Sequence, residues 1–225
     1  MAGKKKVTAI IPAYNEAARI SRVINSLKTS KLIDEIIVVD DGSKDGTFEI
    51  AKKIKKIKCL RIEKNKGKGK AIGLGIRSTN AEIIFLCDAD LKRFSGEMAD
   101  KIISPVLNNE TKLSMGIRKL RRNKIMMKLN LKIEFLLLSG QRAFTRDIWF
   151  KMPEYYKKGF RIELGMNYLV KKKFGGSNLL MLNYGQYIKE SKMGILKGEL
   201  QRWKMNANVV QAFLRFQCYD RFILK

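Results

Sequence analysis

Three apolar runs that each end in a polar turn decide the fold of this chain: VTAIIPAYNE at 7–16, IIVVDDGSKDGT at 36–47 and IIFLCDAD at 83–90. None of them alternates apolar with polar residues, which indicates strands buried on both faces, as in a parallel sheet. Apolar residues at helical spacing lie between the runs: Ile20, Val23, Ile24 and Leu27 after the first, and Phe48, Ala51 and Ile54 after the second. This alternation predicts an α/β fold with a doubly wound, mostly parallel sheet flanked by helices.

The rest of the chain carries weaker patterns. Strands are predicted at 59–62, 113–117 and, as the last of the chain, 179–182; helices are predicted at 67–75, 96–107, 123–137, 162–170 and 196–216. Residues 139–144 are typical of either a strand or a loop. Asn15 is predicted to cap the first helix, because Asn is a favoured residue at that position.

The composition excludes several chemistries. The chain has 225 residues and no His, so it has no Ser-His-Asp or Cys-His nucleophile system and no histidine-ligated zinc. Catalysis must therefore use carboxylates, Lys, Arg, Tyr or a hard metal ion. The three Cys are far apart and odd in number, which argues against a disulfide framework.

The sequence shows the pattern of neither a signal peptide nor a membrane-spanning segment. No stretch has the order of a signal peptide, and no uncharged apolar run approaches the roughly 18 to 20 residues that span a bilayer. We therefore expect a cytoplasmic protein, with membrane contact only at the inner surface.

The formal charge of +26 calls for a partner or a solvent-exposed surface to explain it. Such a field attracts polyanions: nucleic acid, anionic lipid headgroups or phosphorylated substrates. Lysines spread along helix-like segments equally indicate a solvated surface. A nucleic-acid-binding module is thus an alternative function, but charge alone supports it, so nucleic acid is not the expected partner.

Polar residues follow three of the predicted strands, at the edge where parallel sheets bind ligands. They lie in residues 12–16, 40–43 and 88–90. Taken one at a time, a helix cap, a turn and a loop explain them. Taken together, they bring carboxylates to one edge, and Asp88 with Asp90 suits Mg²⁺ or Mn²⁺ that also binds phosphate.

A glycine- and lysine-rich loop at 65–70 adds backbone NH and ammonium groups at a helix start, which favours anion binding. The spacing G-x-x-x-x-G-K-[ST] is absent, and the first strand is not followed by a Gly-rich turn. Phosphate-loop ATPases and dinucleotide-binding proteins are therefore disfavoured.

These segments together resemble a known family. IIPAYNE at 10–16, IVVDDGSKDGT at 37–47, NKGKG at 65–69 and DAD at 88–90 resemble family 2 glycosyltransferases with the GT-A fold, over about the first 95 residues. SGQRAF at 139–144 resembles a segment of the branch that contains dolichyl-phosphate mannosyltransferases and glucosyl-3-phosphoglycerate synthases. The resemblance implies one domain over 1–225, with a nucleotide-binding half at 1–95, an acceptor-binding half at 96–190 and a basic, amphipathic helical extension at 191–225.

The resemblance also implies residue roles on the donor side. The residues implied to line or approach a UDP- or GDP-linked sugar donor are Pro12, Ala13, Tyr14, Glu16, Asp41, Lys68, Asp88 and Gln141. Within this set, Asp41 contacts the base and Asp88 lies near the ribose. Asp88 and Asp90 are the implied ligands of Mg²⁺ or Mn²⁺, which would assist departure of the diphosphate.

The resemblance implies roles for fewer residues on the acceptor side. The implied catalytic set is Glu163, as base for an acceptor hydroxyl, with Asp90 and Arg142. Arg118, Gln141 and Arg142 would bind an anionic acceptor, such as a polyprenyl phosphate, or the diphosphate. If the acceptor is itself a phosphate, no base is needed.

Two positions depart from the family pattern. Retaining relatives carry a downstream His as a metal ligand, where this chain offers only the neighbourhood of residues 187–190. Relatives that act on polyprenyl phosphate often carry Gln two residues after the second Asp, where this chain has Lys92, which could supply part of the metal's charge. A catalytically inactive partner subunit is a further alternative, which the intact Glu16, Asp88 and Asp90 argue against.

Two stretches have a pattern typical of membrane-surface helices. Residues 118–132 mix basic with apolar residues, and Trp203, Phe213, Phe216 and Phe222 interleave with Lys and Arg. The same stripes are equally typical of a helix with one face in the core and one in solvent. Membrane contact is therefore one of two interpretations of these stretches, and packing against the protein core is the other.

Overall fold

A mixed seven-stranded sheet organises the molecule. The computed structural model describes residues 5–118, 139–159, 161–187 and five residues near the C-terminus, 211, 212, 214, 215 and 218. The strands of this sheet are β1 (Val7–Ala13), β2 (Glu35–Asp40), β3 (Lys58–Arg61), β4 (Ile83–Leu86), β6 (Leu113–Arg118), β7 (Arg142–Thr145) and β8 (Asn178–Leu182). Their spatial order is β3-β2-β1-β4-β7-β6-β8.

The direction of one strand matters for the site. Strands β3, β2, β1 and β4 run parallel, and β8 runs parallel to β6. Strand β7 is antiparallel to both β4 and β6. The predicted α/β class and mostly parallel sheet are confirmed, and the segment predicted as strand or loop at 139–144 ends in β7.

Helices cover both faces of the sheet. They are α1 (Ile20–Leu27), α2 (Thr47–Lys52), α3 (Lys68–Arg77), α4 (Gly96–Leu107), α5 (Asp147–Lys151) and α6 (Arg161–Phe174), with a 3₁₀ turn at Glu154–Tyr156. The predicted helix at 96–107 coincides with α4, whereas α5 and the 3₁₀ turn were not predicted. The predicted helices at 123–137 and 196–216 lie outside the described residues, apart from four isolated positions in the second.

The prediction that Asn15 caps the first helix is wrong. The cap position of α1 is Arg19, and Asn15 has a φ of 54°. Its backbone NH donates to Ser43 Oγ at 2.9 Å, and its Oδ1 accepts from the NH of Lys44 at 3.0 Å. Asn15 therefore joins the loop after β1 to the loop after β2.

Successive residues of the central strands feed two separate cores, which explains why their sequences do not alternate. Ile10 packs on the face covered by α3, α5 and α6, and Ile11 packs on the face covered by α1 and α4. Both residues are fully buried. A strand buried on both faces must be apolar throughout, as the sequence pattern indicated.

Strand β7 brings a later segment to the functional edge. Its first residue, Arg142, pairs with Leu86, the last residue of β4. Because β7 runs opposite to β4, the residues before Arg142 lie beside those after Leu86. Gly140 and Gln141 thereby meet Asp88, about 50 residues earlier in the chain.

A small second sheet lies at the same edge. Strand β5 (Leu91–Lys92) pairs antiparallel with β9 (Gly185–Gln186), and Leu91 is opposite Gln186. Neither strand was predicted, and β8 is not the last strand of the chain. Within the described part of the chain, no helix has the length and apolar character needed to cross a membrane.

We expect a backbone contact under α4 to limit stability. Gly96 is the first residue of α4, and a Cβ there would overlap the backbone of Thr29 and Ser30. Gly96→Ala is therefore expected to lower the free energy of unfolding by about 2 kcal/mol, as overpacking does. Urea denaturation measures this change.

The control is Glu97→Ala at the next position, where the side chain is exposed and its ion pair with Lys101 is solvated. We expect that variant to stay within about 0.5 kcal/mol of the parent protein. Equal stability of the two variants would contradict the close contact.

Candidate active site

The loops after β1 and β2 interlock through side-chain oxygens. The backbone NH of Glu16 donates to Thr47 Oγ1 at 2.8 Å, and that of Ala17 donates to Asp45 Oδ2 at 3.0 Å. The side chain of Glu16 accepts from Arg19 at 3.0 Å and is 8% exposed. These hydrogen bonds fix the shape of the edge at which the first two strands end.

Asp41 anchors the glycine- and lysine-rich loop. Its carboxylate accepts from the backbone NH of Lys66 at 2.9 Å and of Gly67 at 2.7 Å. Gly67, at a φ of 89°, then leads into α3, which begins at Lys68. Asp41 thus positions the loop that leads into α3, which begins at Lys68. The contact of Asp41 with a nucleotide base stays a prediction.

The other donor-side residues of the first strand lie at its end. Pro12 is half-buried, Ala13 is buried and its carbonyl accepts from the NH of Asp41 at 2.8 Å. Tyr14 is 44% exposed. The exposed ring next to the Asp41-anchored loop leaves an aromatic surface for a ligand, and its contact with a nucleotide stays a prediction.

Lys68 is the centre of the site. Its ammonium lies 3.0 Å from Asp88 Oδ1 and 2.9 Å from Glu163 Oε1. Burial lowers the pKa of Lys68, but the charges of Asp88 and Glu163 and their hydrogen bonds outweigh burial, so its pKa lies above the ordinary value. The ammonium therefore stays protonated at neutral pH, between the carboxylates of Asp88 and Glu163.

Asp88 is held from several directions. Besides Lys68, Gln141 Nε2 donates to Asp88 Oδ2 at 3.0 Å, and Gln186 Nε2 lies 3.4 Å from the same oxygen. Gly140 packs against this carboxylate so closely that a Cβ would overlap it. The orientation of Asp88 is therefore fixed by nitrogen donors on one side and by a glycine on the other.

Gln141 is oriented by buried hydroxyl groups. Its Oε1 lies 2.7 Å from the hydroxyl of Tyr184 and 3.0 Å from that of Ser139. The Tyr184 hydroxyl is also 2.9 Å from the carbonyl of Gly116, and burial raises the pKa of Tyr184 to about 12. These neutral hydroxyl groups hold Oε1, so the amide nitrogen of Gln141 faces Asp88.

Arg142 lies inside the protein and is fully buried. Its guanidinium donates to the carbonyl of Ser139 at 2.6 and 2.9 Å and to that of Glu163 at 3.2 Å. The structure therefore places Arg142 behind the site, where it ties β7 to α6, and not on the open side where a phosphate would bind. Arg118 is at the end of β6 and is exposed.

Glu163 has one paired and one unpaired oxygen. It lies in the first turn of α6 and is 5% exposed. Oε1 accepts from Lys68, whereas Oε2 is buried and has no hydrogen-bond partner among the described residues. A buried carboxylate oxygen without a partner is costly, so a ligand hydroxyl that donates to it would be stabilising.

Asp90 lies next to Asp88 and contacts the second sheet. Gln186 Nε2 donates to Asp90 Oδ1 at 2.8 Å, and the NH of Tyr187 donates to the Asp90 carbonyl at 3.2 Å. One amide nitrogen thus reaches both carboxylates, which shows that Asp88 and Asp90 converge. Two converging carboxylates fit Mg²⁺ or Mn²⁺, which commonly bind one or two protein carboxylates together with substrate phosphates.

Sequence patterns missed a cationic cluster around Tyr187. The ammonium of Lys92 lies 3.7 Å from the centre of this ring, Arg19 lies 4.8 Å from it, and Arg22 donates to its hydroxyl at 3.0 Å. The sequence pointed only to the neighbourhood of residues 187–190. Lys92 therefore lies over an aromatic ring, and its predicted contribution to the metal's charge stays a prediction.

The structure brings together most of the predicted residues. Lys68, Asp88, Asp90, Gln141 and Glu163 form one connected polar cluster, and Asp41 reaches it through the loop before Lys68. Gln186 and Tyr184 complete the cluster and were not predicted. Their only local signal is a pair of polar residues around a glycine in the segment YGQ at 184–186.

The fold matches that of solved structures. Glucosyl-3-phosphoglycerate synthase from Mycobacterium tuberculosis, in a complex with Mn²⁺, UDP-glucose and phosphoglyceric acid, superposes with a TM-score of 0.73 over 92% of this chain and 79% of that chain, at 22% identity. This likeness confirms the predicted GT-A fold.

Sequence comparisons identify relatives. A UDP-N-acetylglucosamine–dolichyl-phosphate N-acetylglucosaminyltransferase from Methanococcus voltae is 34% identical over 133 residues, which are 51% of this chain and 52% of that protein. A human dolichyl-phosphate beta-glucosyltransferase is 37% identical over 101 residues, which are 38% of this chain and 31% of that protein. The matches thus span about half and about a third of the relatives' lengths.

The family model for glycosyl transferase family 2 matches residues 8–152, which run from the second residue of β1 to beyond β7 and include the carboxylates that follow β1, β2 and β4. This match covers more than half of the chain. The protein therefore belongs to glycosyl transferase family 2.

Proposed function

We propose that this protein transfers a sugar from a nucleotide-diphosphate donor to a phosphate-bearing acceptor. The observation that carries the proposal is the contact of Lys68 with both Asp88 and Glu163. Asp88 belongs to the edge formed by the first four strands, and Glu163 belongs to the acceptor half on α6. Two substrates bound on either side of Lys68 would therefore have their reacting groups side by side.

On the donor side we propose a UDP-linked sugar. The Methanococcus relative is named for a UDP-linked sugar, and the mycobacterial synthase was solved with UDP-glucose. Asp88 and Asp90 would hold Mg²⁺ or Mn²⁺, which neutralises negative charge on the departing diphosphate. Lys68 would contribute a permanent positive charge to the same diphosphate and needs no proton transfer to do so.

On the acceptor side we propose a polyprenyl phosphate. Both named relatives are dolichyl-phosphate glycosyltransferases. A phosphate oxygen is ionised at neutral pH, so it can attack the sugar's anomeric carbon without a base while the bond from that carbon to the nucleoside diphosphate breaks. In this reaction Glu163 is a positioning residue for Lys68, and its Oε2 accepts a hydrogen bond from a substrate hydroxyl.

A lipid acceptor would place the reaction at the cytoplasmic surface of a membrane. The formal charge of +26 supports this location, because anionic headgroups attract basic surfaces. The stretches with an interfacial pattern, 118–132 and 203–222, lie almost entirely outside the described residues, so the proposal of membrane contact rests on sequence.

Nucleotide binding is the first test. With Mn²⁺, UDP is expected to raise the melting temperature more than GDP, CDP or dTDP, and EDTA is expected to remove the effect. A ligand at 100 times its Kd adds about 2.7 kcal/mol to the stability of the native state. Thermal-shift measurements with each nucleotide check the donor class.

The acceptor is tested by UDP release from UDP-sugars with a polyprenyl phosphate or with the matching polyprenol. We expect release only with the phosphate, and its loss in Asp90→Ala. Equal release with both lipids would contradict the phosphate acceptor, and no shift with any nucleotide would contradict the proposed function itself.

The role of Glu163 is tested by Glu163→Gln. Since a phosphate acceptor needs no base, we expect kcat to fall by no more than about tenfold, because the amide still accepts from Lys68. Removal of a true general base costs about 100-fold to 10,000-fold. Steady-state kinetics across pH separate the two roles.

The control for Glu163→Gln is Glu154→Gln, which removes an exposed carboxylate paired with Lys157. It is expected to keep parental kinetics. A fall of a thousandfold in Glu163→Gln, with loss of the acidic limb of the pH profile, would show that Glu163 is the base for a hydroxyl acceptor.

The packing of Gly140 on Asp88 gives a further prediction. The Cβ of Gly140→Ala would displace the Asp88 carboxylate from Lys68 or Gln141, so we expect the Mn²⁺-dependent shift with UDP to be lost in a folded protein. Thermal shift reports both binding and folding. The control is Gly73→Ala in α3, where a Cβ meets mainly the flexible end of the Arg77 side chain. Unchanged UDP binding in Gly140→Ala would contradict the prediction.

A further inference from the structure

Gln186 contacts both carboxylates of the proposed metal site. Its Nε2 lies 2.8 Å from Asp90 Oδ1 and 3.4 Å from Asp88 Oδ2. The residue belongs to β9, far along the chain from the Asp88-Ala89-Asp90 segment. Nothing in the spacing of the sequence indicates this contact, because the pairing of β9 with β5 produces it.

We propose that Gln186 is the third protein ligand of the divalent cation, which it binds through its side-chain oxygen Oε1. This inference rests on the proposed function, since it concerns the cation that Asp88 and Asp90 would hold. It adds a ligand from a different strand and specifies that this ligand is neutral.

The chemistry of the side chain fits this role. Amide oxygens are suitable ligands for hard cations such as Mg²⁺ and Mn²⁺. The two ends of a Gln amide exchange by rotation about one bond, and their assignment follows the hydrogen-bond network. The end that donates to the carboxylates can therefore be replaced by the end that coordinates a cation, without movement of the backbone.

Among the described residues, no carboxylate, Cys or His joins Asp88 and Asp90 as a third member of the group. Across residues 5–118, 139–159 and 161–187 and the five near the C-terminus, no three His, Cys, Asp or Glu side chains form a metal-binding group. A third protein ligand among these residues would therefore be of another type. The amide of Gln186 already contacts both carboxylates and carries an oxygen that can coordinate a cation.

The backbone of Gln186 is fixed in place from both sides. Leu91 pairs with Gln186, and the NH of Tyr187 donates to the carbonyl of Asp90. The Tyr187 ring is in turn contacted by Lys92 and Arg19. A side chain on a fixed backbone loses less conformational freedom when it binds a ligand, which favours a specific metal ligand.

The test measures Mn²⁺ binding to the 225-residue chain, with and without UDP. The electron paramagnetic resonance signal of free Mn²⁺ reports how much of the ion stays unbound. Gln186→Leu removes the oxygen and leaves an apolar side chain, and we expect it to weaken Mn²⁺ binding by about tenfold, a typical loss for residues that support a metal site. Gln186→Glu restores an oxygen and is expected to bind Mn²⁺ at least as tightly as the parent protein.

Two controls separate the possible failures. Asn183→Leu changes an exposed residue two positions before β9 and is expected to bind Mn²⁺ like the parent protein. Asp90→Ala is expected to abolish binding. If Asp90→Ala binds like the parent protein, the metal site of the proposed function is wrong.

If Asp90→Ala loses Mn²⁺ while Gln186→Leu keeps the parental affinity, the proposed function stands and the inference about Gln186 is overturned. If Gln186→Leu and Gln186→Glu weaken Mn²⁺ binding equally, Gln186 has a structural role only, and the inference is likewise overturned. Melting temperatures of all variants, measured without metal, show whether each protein is folded.

Discussion

The contact of one ammonium group with two carboxylates, Lys68 with Asp88 and Glu163, is the constraint on which the site depends. Charges taken out of water cost several kcal/mol each unless they are closely paired and hydrogen-bonded. The protein meets this condition with fixed partners around Asp88: Gln141 donates to its second oxygen, and Gly140 leaves room for the carboxylate. Loss of Lys68 would leave the buried Glu163 and the half-buried Asp88 without the cation that they share, so the same contact maintains the fold of the site and its charge.

The reversed strand β7 makes this constraint possible. A fully parallel sheet would place the residues before Arg142 at the opposite edge from Asp88. Because β7 runs antiparallel to β4, Gly140 and Gln141 lie at the end of β4. The buried guanidinium of Arg142 then fixes the distance between β7 and α6 through the carbonyls of Ser139 and Glu163. Arg142 thereby positions Glu163 from behind the site, and its guanidinium does not reach the open side.

The part of the site that could be predicted from the sequence is the part set by local pattern. The strands before Asp41 and Asp88 are continuous apolar runs, and parallel strands end at one edge, so the meeting of their carboxylates follows from the order of elements. The direction of β7 could not be predicted, because it depends on pairing with β4 more than fifty residues away. Gln186 was missed because β9 has two residues and no periodic pattern. The buried position of Arg142 was missed for a related reason: its shortest hydrogen bonds go to the backbone carbonyls of Ser139 and Glu163, which the sequence does not reveal.

The charge balance of the cluster explains why a neutral side chain suits the position of Gln186. Asp88, Asp90 and Glu163 formally contribute three negative charges and Lys68 one positive charge, which leaves two negative charges for one divalent cation to neutralise. With a third carboxylate in place of Gln186, the site would bind the cation alone, without the diphosphate, at least as tightly as it does with Gln186. In the proposed reaction it would also add a negative charge beside the departing diphosphate, and so oppose the step that the cation and Lys68 would assist. An amide oxygen provides coordination without that repulsion.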